Sequence, residues 1–281
     1  MMRSKRLARM ERITEIGRFF FALSMVGFGI QQFVFTGFVV GLELVPKWMP
    51  AHAFCAYVTG AVLIVAGVCI AIKKFGRFAS AVLSVGFFLC VLLMHLPRIE
   101  AILQDGVERT RAFETLAICG GATLVAASLP RKGVHLATFD DIVDKAAEFG
   151  RFFVAVSMAI FGLDHLLAAR FVAGLVPSWI PWHLFWVYFT AFGFFAAAIS
   201  MATKKFVSLV EALLGLMFLL WVVLLHVPRV AANLHNGAEW NSAFVALAMC
   251  GLALVAIGVL QSTAEKVIPV SIGSPQSYAG L

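Results

Sequence analysis

Hydrophobic residues in this chain come in long unbroken runs, without the strict alternation of a strand or the polar stripe of a soluble helix. Eight runs stand out, at about 16–38, 53–72, 78–97, 112–129, 149–168, 184–202, 207–227 and 243–261. Each is close to the roughly 20 residues that a helix needs to cross a bilayer core of about 30 Å. Leu, Ala, Phe and Gly fill them, and in hydrocarbon only helices or closed barrels satisfy their own backbone groups. The pattern predicts an all-α membrane protein with eight transmembrane helices.

The polar positions between the runs set the expected orientation. With the N-terminus inside, the inner segments collect Arg3, Lys5, Arg6, Arg9, Arg12, Lys73, Lys74, Arg77, Arg131, Lys132, Lys204, Lys205 and Lys266. The opposite segments hold Lys47, Arg98, Arg109, Arg111, Arg170 and Arg229. Because Lys and Arg accumulate in cytoplasmic loops, both termini are expected in the cytoplasm and the chain in a bacterial inner membrane. The composition agrees, with 62% hydrophobic and 13% charged residues. The net charge of +7 is then a topology signal and no argument for nucleic acid. Cys55, Cys69, Cys90, Cys119 and Cys250 all fall inside apolar runs, and none forms a C-x-x-C pair, so they read as packing residues.

The runs repeat. GRFFFALSMVGFG at 17–29 returns as GRFFVAVSMAIFG at 150–162, and PKWMPAHAFCAYVT at 46–59 returns as PSWIPWHLFWVYFT at 177–190. KKF follows at 73 and 204, then HLPR at 95 and HVPR at 226, then Cys-Gly at 119 and 250. From Pro46 to Val125 about 32 of 80 positions match those 131 residues later. The expected architecture is two tandem four-helix bundles in parallel orientation, related by an axis along the membrane normal. Residues 1–15 form a basic cytoplasmic N-terminus, 16–129 the first unit, 130–148 a cytoplasmic linker, 149–261 the second unit and 262–281 a disordered tail.

The distinctive polar residues gather on the expected outer side. Pro228 has no backbone N–H and its ring crowds the carbonyl of Leu224, so the helix should kink or end there with carbonyls that favour a cation such as Arg229. Arg98 has the same place in the first copy. Both arginines have a structural explanation as caps and lipid anchors. His226 and His95 lie on the apolar side of their prolines, where a ring nitrogen needs a partner. Asp164 and His165 have no equivalents in the first copy, which carries Gln32 opposite His165. Asp164 reads either as a salt bridge between the fifth and seventh helices, with Arg229, or as part of a pocket faced by His165 and His226. Asn233 and Tyr188 are further partners if the unit closes. The proline-rich loops 39–52 and 172–183 should lie at the interface, with Trp48, Trp179 and Trp182 as pocket cover or aromatic belt. Glu211, opposite Ser80 of the first copy, reads as interfacial.

F-G-x-x-H, P-x-W-x-P, W-x-Y-x-T and H-x-P-R occur here as Phe161, Gly162 and His165; Pro177, Trp179 and Pro181; Trp186, Tyr188 and Thr190; and His226, Pro228 and Arg229. A four-helix unit with these motifs resembles the DoxX family of bacterial membrane proteins, over about 16–129 and 149–261. The first copy departs at Gln32 and Cys55. The resemblance implies a redox-associated role, with some members linked to thiosulfate oxidation by quinones. On this reading His226 or His165 bonds a quinone oxygen, Arg229 steadies an anion, and Trp179, Trp186 and Tyr188 form walls, while electrons come from a soluble or membrane redox partner. A haem between two facing histidines is a weaker alternative. No metal-binding or phosphate-cradling motif occurs. The rival functions are a non-catalytic scaffold for a soluble enzyme and a small-solute carrier, the latter disfavoured because carrier sites sit near the midplane.

Overall fold

The computed structural model describes residues 2–39, 42, 50–131 and 137–267, and every regular element among them is a helix. The long ones are α1 (Met2–Val34), α2 (His52–Ala71), α3 (Gly76–Cys90), α4 (Gly106–Ser128), α5 (Ala137–Leu167), α6 (His183–Thr203), α7 (Val207–Trp221) and α8 (Gly237–Val267). Helical turns prolong α3 to Gln104 and α7 to Ala232.

Seven of these stretches are long and apolar enough to cross a membrane. The eighth expected span is present as α4 but is not among them. The reason lies in its first turns, which hold Glu108, Arg109, Arg111 and Glu114. Its second half is Ala, Gly, Cys, Thr and Leu, buried almost without a break from Ala117 to Ala126. A helix wrapped by protein does not need the bulky apolar coat that a lipid-facing one needs.

The repeat is visible in the backbone. Ala51 and Trp182, Lys73 and Lys204, and Phe75 and Phe206 adopt left-handed backbone conformations in pairs, with φ between 54° and 59°. Bulky residues rarely sit there. The KKF turn between α2 and α3, and between α6 and α7, is therefore the same tight reversal built twice. Beside it, Lys73 pairs with Glu15 and Lys204 with Glu148 (2.8 Å).

Helix packing follows the repeat less simply. Within each copy, neighbours pack in order, α1 on α2 on α3 on α4, and α5 on α6 on α7 on α8. The most extensive contacts, however, include two that join the copies, α1 with α8 and α4 with α5, and α4 also meets α8. No extensive contact joins α1 to α4 or α5 to α8. The result is a ring of eight helices with α4 and α8 leaning together across it, and one hydrophobic core runs through both copies.

Glycines of the repeat make these joints. A Cβ on Gly17 would lie 2.6 Å from the carbonyl oxygen of Gly251, and one on Gly251 would lie 2.6 Å from that of Gly17. Gly150 and Gly120 meet in the same way where α5 crosses α4. Small residues let membrane helices approach closely enough for backbone packing. The Cys-Gly motif shared by the copies thus marks a contact between copies.

At the end of the molecule away from the His-Pro-Arg motifs, α5 begins inside the span read as a linker. Arg77, 3% exposed, donates to the carbonyls of Ala126 (3.0 Å), Leu129 (3.2 Å) and Asp140 (2.9 Å), and pairs with Asp140 (2.6 Å) and Asp144 (2.6 Å). A buried guanidinium is tolerated only with such saturation. The acidic cluster is a clasp between α3, α4 and α5.

Candidate functional site

Sequence predicted that each H-x-P-R motif would kink or end its helix. Neither helix ends. Ahead of Pro97 and Pro228 the backbone widens into a π turn, Val91–His95 and Val222–His226, where Leu96 N–H reaches Val91 O and Val227 N–H reaches Val222 O. The extra residue in the turn relieves the clash that a proline ring makes with the carbonyl four residues back, and the helix continues. Each π turn ends on the histidine and turns it inward. His95 is 1% exposed and His226 9%.

The two histidines then differ. His95 Nε2 lies 3.2 Å from the carbonyl oxygen of Leu42 and 3.1 Å from Thr115 Oγ1. A carbonyl only accepts, so Nε2 carries the hydrogen and the loop residue Leu42 is tied to α3 and α4. In the second copy Ala246 stands at the place of Thr115, and Leu175 stands at that of Leu42, with its carbonyl oxygen taken by Arg229. The hydroxyl is gone. The Nδ1 of both rings is buried without a hydrogen-bond partner, so the difference lies at Nε2, where His226 has neither of the bonds that hold His95.

Asp164 does not serve His226 or Arg229. Its carboxylate accepts from Arg109 Nε (2.7 Å) and Thr110 Oγ1 (3.1 Å), both on α4 of the first copy. The expected bridge between α5 and α7 is instead one between α5 and α4, because α5 packs on α4 and the start of α4 brings a cation to its end. Arg229 donates to the carbonyl of Leu175 (3.3 Å) and pins the α5–α6 loop to α7. Arg98 pairs with Glu108 (3.1 Å).

His165 donates from Nδ1 to Phe161 O (2.8 Å), which leaves Nε2 as the acceptor of the neutral ring. Its ring stands edge-on to Phe194 (5.2 Å) and nearly parallel to Trp221 (6.0 Å, 12°), and Phe161 and Phe218 complete the cluster around Phe194. Trp221 opens the π turn that His226 closes, about one wide turn apart on the same side of α7. The first copy has Leu63 and Cys90 in place of Phe194 and Trp221. There, a void too narrow for a water molecule lies between Phe28, Val39, Leu42, Leu63 and Phe87.

The proposed walls do not close over this place. Trp179, Trp186 and Tyr188 are 67%, 41% and 51% exposed, and Asn233 is exposed and serves through its backbone N–H to cap the end of α7. Trp186 Nε1 donates to Pro181 O (3.1 Å) and holds its own loop. Trp48 lies outside the described residues. The aromatics that pack beside His165 are Phe194, Phe218 and Trp221, missed in sequence because aromatics fill all the runs; only the register difference Cys90 against Trp221 marks one of them.

Compared with known proteins, the chain matches no family model, no curated protein and no solved structure.

Proposed function

We propose that the protein is a DoxX-like subunit of a bacterial inner membrane that binds a small amphipathic molecule of quinone type at the outer end of its second repeat. The observation that carries this reading is that the buried His226 lacks the bonds at Nε2 by which Leu42 and Thr115 secure its counterpart His95, while its Nδ1 is without a partner as well. A buried ring nitrogen without a partner costs about 1–3 kcal/mol, and a polar ligand atom offsets that cost. Phe194, Phe218 and Trp221 make an apolar aromatic cluster beside the Nε2 of His165, a second acceptor. His226 would orient the ligand and hold or release a proton at Nδ1, and Arg229 would fix the loop above it. The electron donor is a partner protein. In this reading all eight helices span, α4 among them, and both termini face the cytoplasm.

A scaffold role is the second reading, favoured by the exposure of Trp179, Trp182 and Trp186 on one end of the molecule, where a soluble partner would dock.

Organic extraction of the purified protein, with oxidised and reduced optical spectra of the same sample, tests the proposal. A quinone extracted from the wild type and lost from His226→Ala is the expected result. A colourless, quinone-free protein moves the assignment to the scaffold.

A further inference from the structure

The opposite end of the same repeat holds a carboxyl with no role in that site. Glu211, on the first turns of α7, is 0% exposed, and both of its carboxyl oxygens lack a hydrogen-bond partner. Sequence reading placed it at the interface. Instead α7 turns it inward on the face that carries Val207, Leu214, Gly215 and Phe218, against α6 and α8.

Its surroundings are polar without being charged. Ser200 on α6 is 2% exposed and its Oγ is also without a partner. The cations nearby are committed elsewhere: Lys204 to Glu148 (2.8 Å), and Arg151 to Glu148 (3.1 Å) and the carbonyls of Met201 (2.7 Å) and Ala202 (2.6 Å). Lys205, after α6, is exposed. One turn before Glu211, on the same side of α7, the exposed Ser208 accepts a hydrogen bond from Gln261 of α8. Ser208 and Gln261 are thus the polar pair one turn along α7 from the carboxyl, on the way to the surface.

The first copy shows what the position requires for packing alone. Ser80 stands there, wholly buried and satisfied by the carbonyl of Gly76 (2.8 Å), with Cys69 in place of Ser200. A carboxyl is not needed to fill the space. An ionised carboxylate with no cation beside it and only the Ser200 hydroxyl within reach is not tolerated in such an environment, whereas a neutral acid is a modest burden.

We propose that Glu211 and Ser200 form a buried proton-binding site in the second repeat, loaded from the end of the molecule at which Ser208 and Gln261 meet. The ligand is the proton itself, which converts the carboxylate to the acid and needs no co-reactant. The site is independent of whether His226 binds a quinone.

Infrared difference spectroscopy of the full protein in lipid, wild type minus Glu211→Gln, tests it at neutral pH. The expected result is the C=O stretch of a protonated carboxylic acid that shifts on transfer to D2O, because the proton exchanges with solvent. Glu211→Ser, which restores the residue found in the first copy, must lose the same band while keeping the wild-type unfolding temperature or exceeding it. A pair of carboxylate bands in place of the acid band overturns the proposal, as does an acid band that ignores D2O. Suppression of the acid band by sodium ions would also overturn it, by showing a metal cation as the ligand.

Discussion

His95 and His226 occupy one position of a duplicated motif, yet their local chemistry has diverged through residues far away in sequence. Thr115 and Leu42 secure the first; in the second, Ala246 replaces the threonine and the carbonyl of Leu175, the counterpart of Leu42, takes Arg229 instead. Truncating His95 strips Leu42 O and Thr115 Oγ1 of a shared donor inside the protein. His95→Ala is therefore expected to lower stability by about 1–3 kcal/mol. The same change at His226 removes a nitrogen that bonds nothing, and only the loss of ring packing remains. Ligand-free protein in detergent should show a larger fall in unfolding temperature for His95→Ala than for His226→Ala; equal falls would contradict the contrast between the rings. Asp164 illustrates the limit of sequence reading at this scale. Its cost in an apolar run signals a partner, and the sequence offers several; only the packing of α5 on α4 selects Arg109 and Thr110.

Among the elements, α1 and α8 are joined by backbone contact at Gly17 and Gly251. A methyl group at either position meets carbonyl and main-chain atoms rather than a flexible side chain, so the helices must separate. Gly251→Ala is expected to cost about 1–3 kcal/mol. Gly86 on α3 is the control, since a Cβ there meets nothing within 4 Å. Gly86→Ala should be neutral or stabilise by roughly 0.5–1 kcal/mol through the helix propensity of alanine. Thermal unfolding of the two variants in one detergent separates the cases, and a tolerated Gly251→Ala would remove the close crossing. The π turns belong to this scale too. The proline announces a disturbance, but whether a helix ends or widens depends on what receives the next turns, and here Ile99–Gln104 and Val227–Ala232 continue it.

For the whole molecule, the decisive feature is that the copies close on each other. The joints α1 with α8 and α4 with α5 pair the equivalent helices of the repeat, with the Gly17–Gly251 and Gly150–Gly120 contacts as the two instances. Two halves produced as separate chains, cut between residues 131 and 137, should therefore co-purify through a tag on one. The first half alone should form a dimer in which α1 of each copy takes the place of α5 against the α4 of the other. Co-purification and size-exclusion chromatography check this; a stable monomeric half would show that each copy closes on its own.

Apolar run length determined by itself that the described chain is helical and suited to a bilayer, because hydrocarbon leaves the backbone few alternatives. Self-similarity at 131 residues marked the duplication and the motifs worth following. The sequence also showed where the copies differ, at Gln32 and His165, Cys90 and Trp221, Ser80 and Glu211. Only the tertiary structure decided which helices pair, and with that everything that depends on distance: Asp164 with Arg109, His95 with Leu42, the enclosure of Glu211, and the exposure of Trp179, Trp186 and Tyr188. The reason is physical. Burial against lipid is a property of one helix and can be read from its composition, whereas the choice of neighbour rests on close packing between surfaces of Gly, Ala, Leu and Phe that look alike in every run.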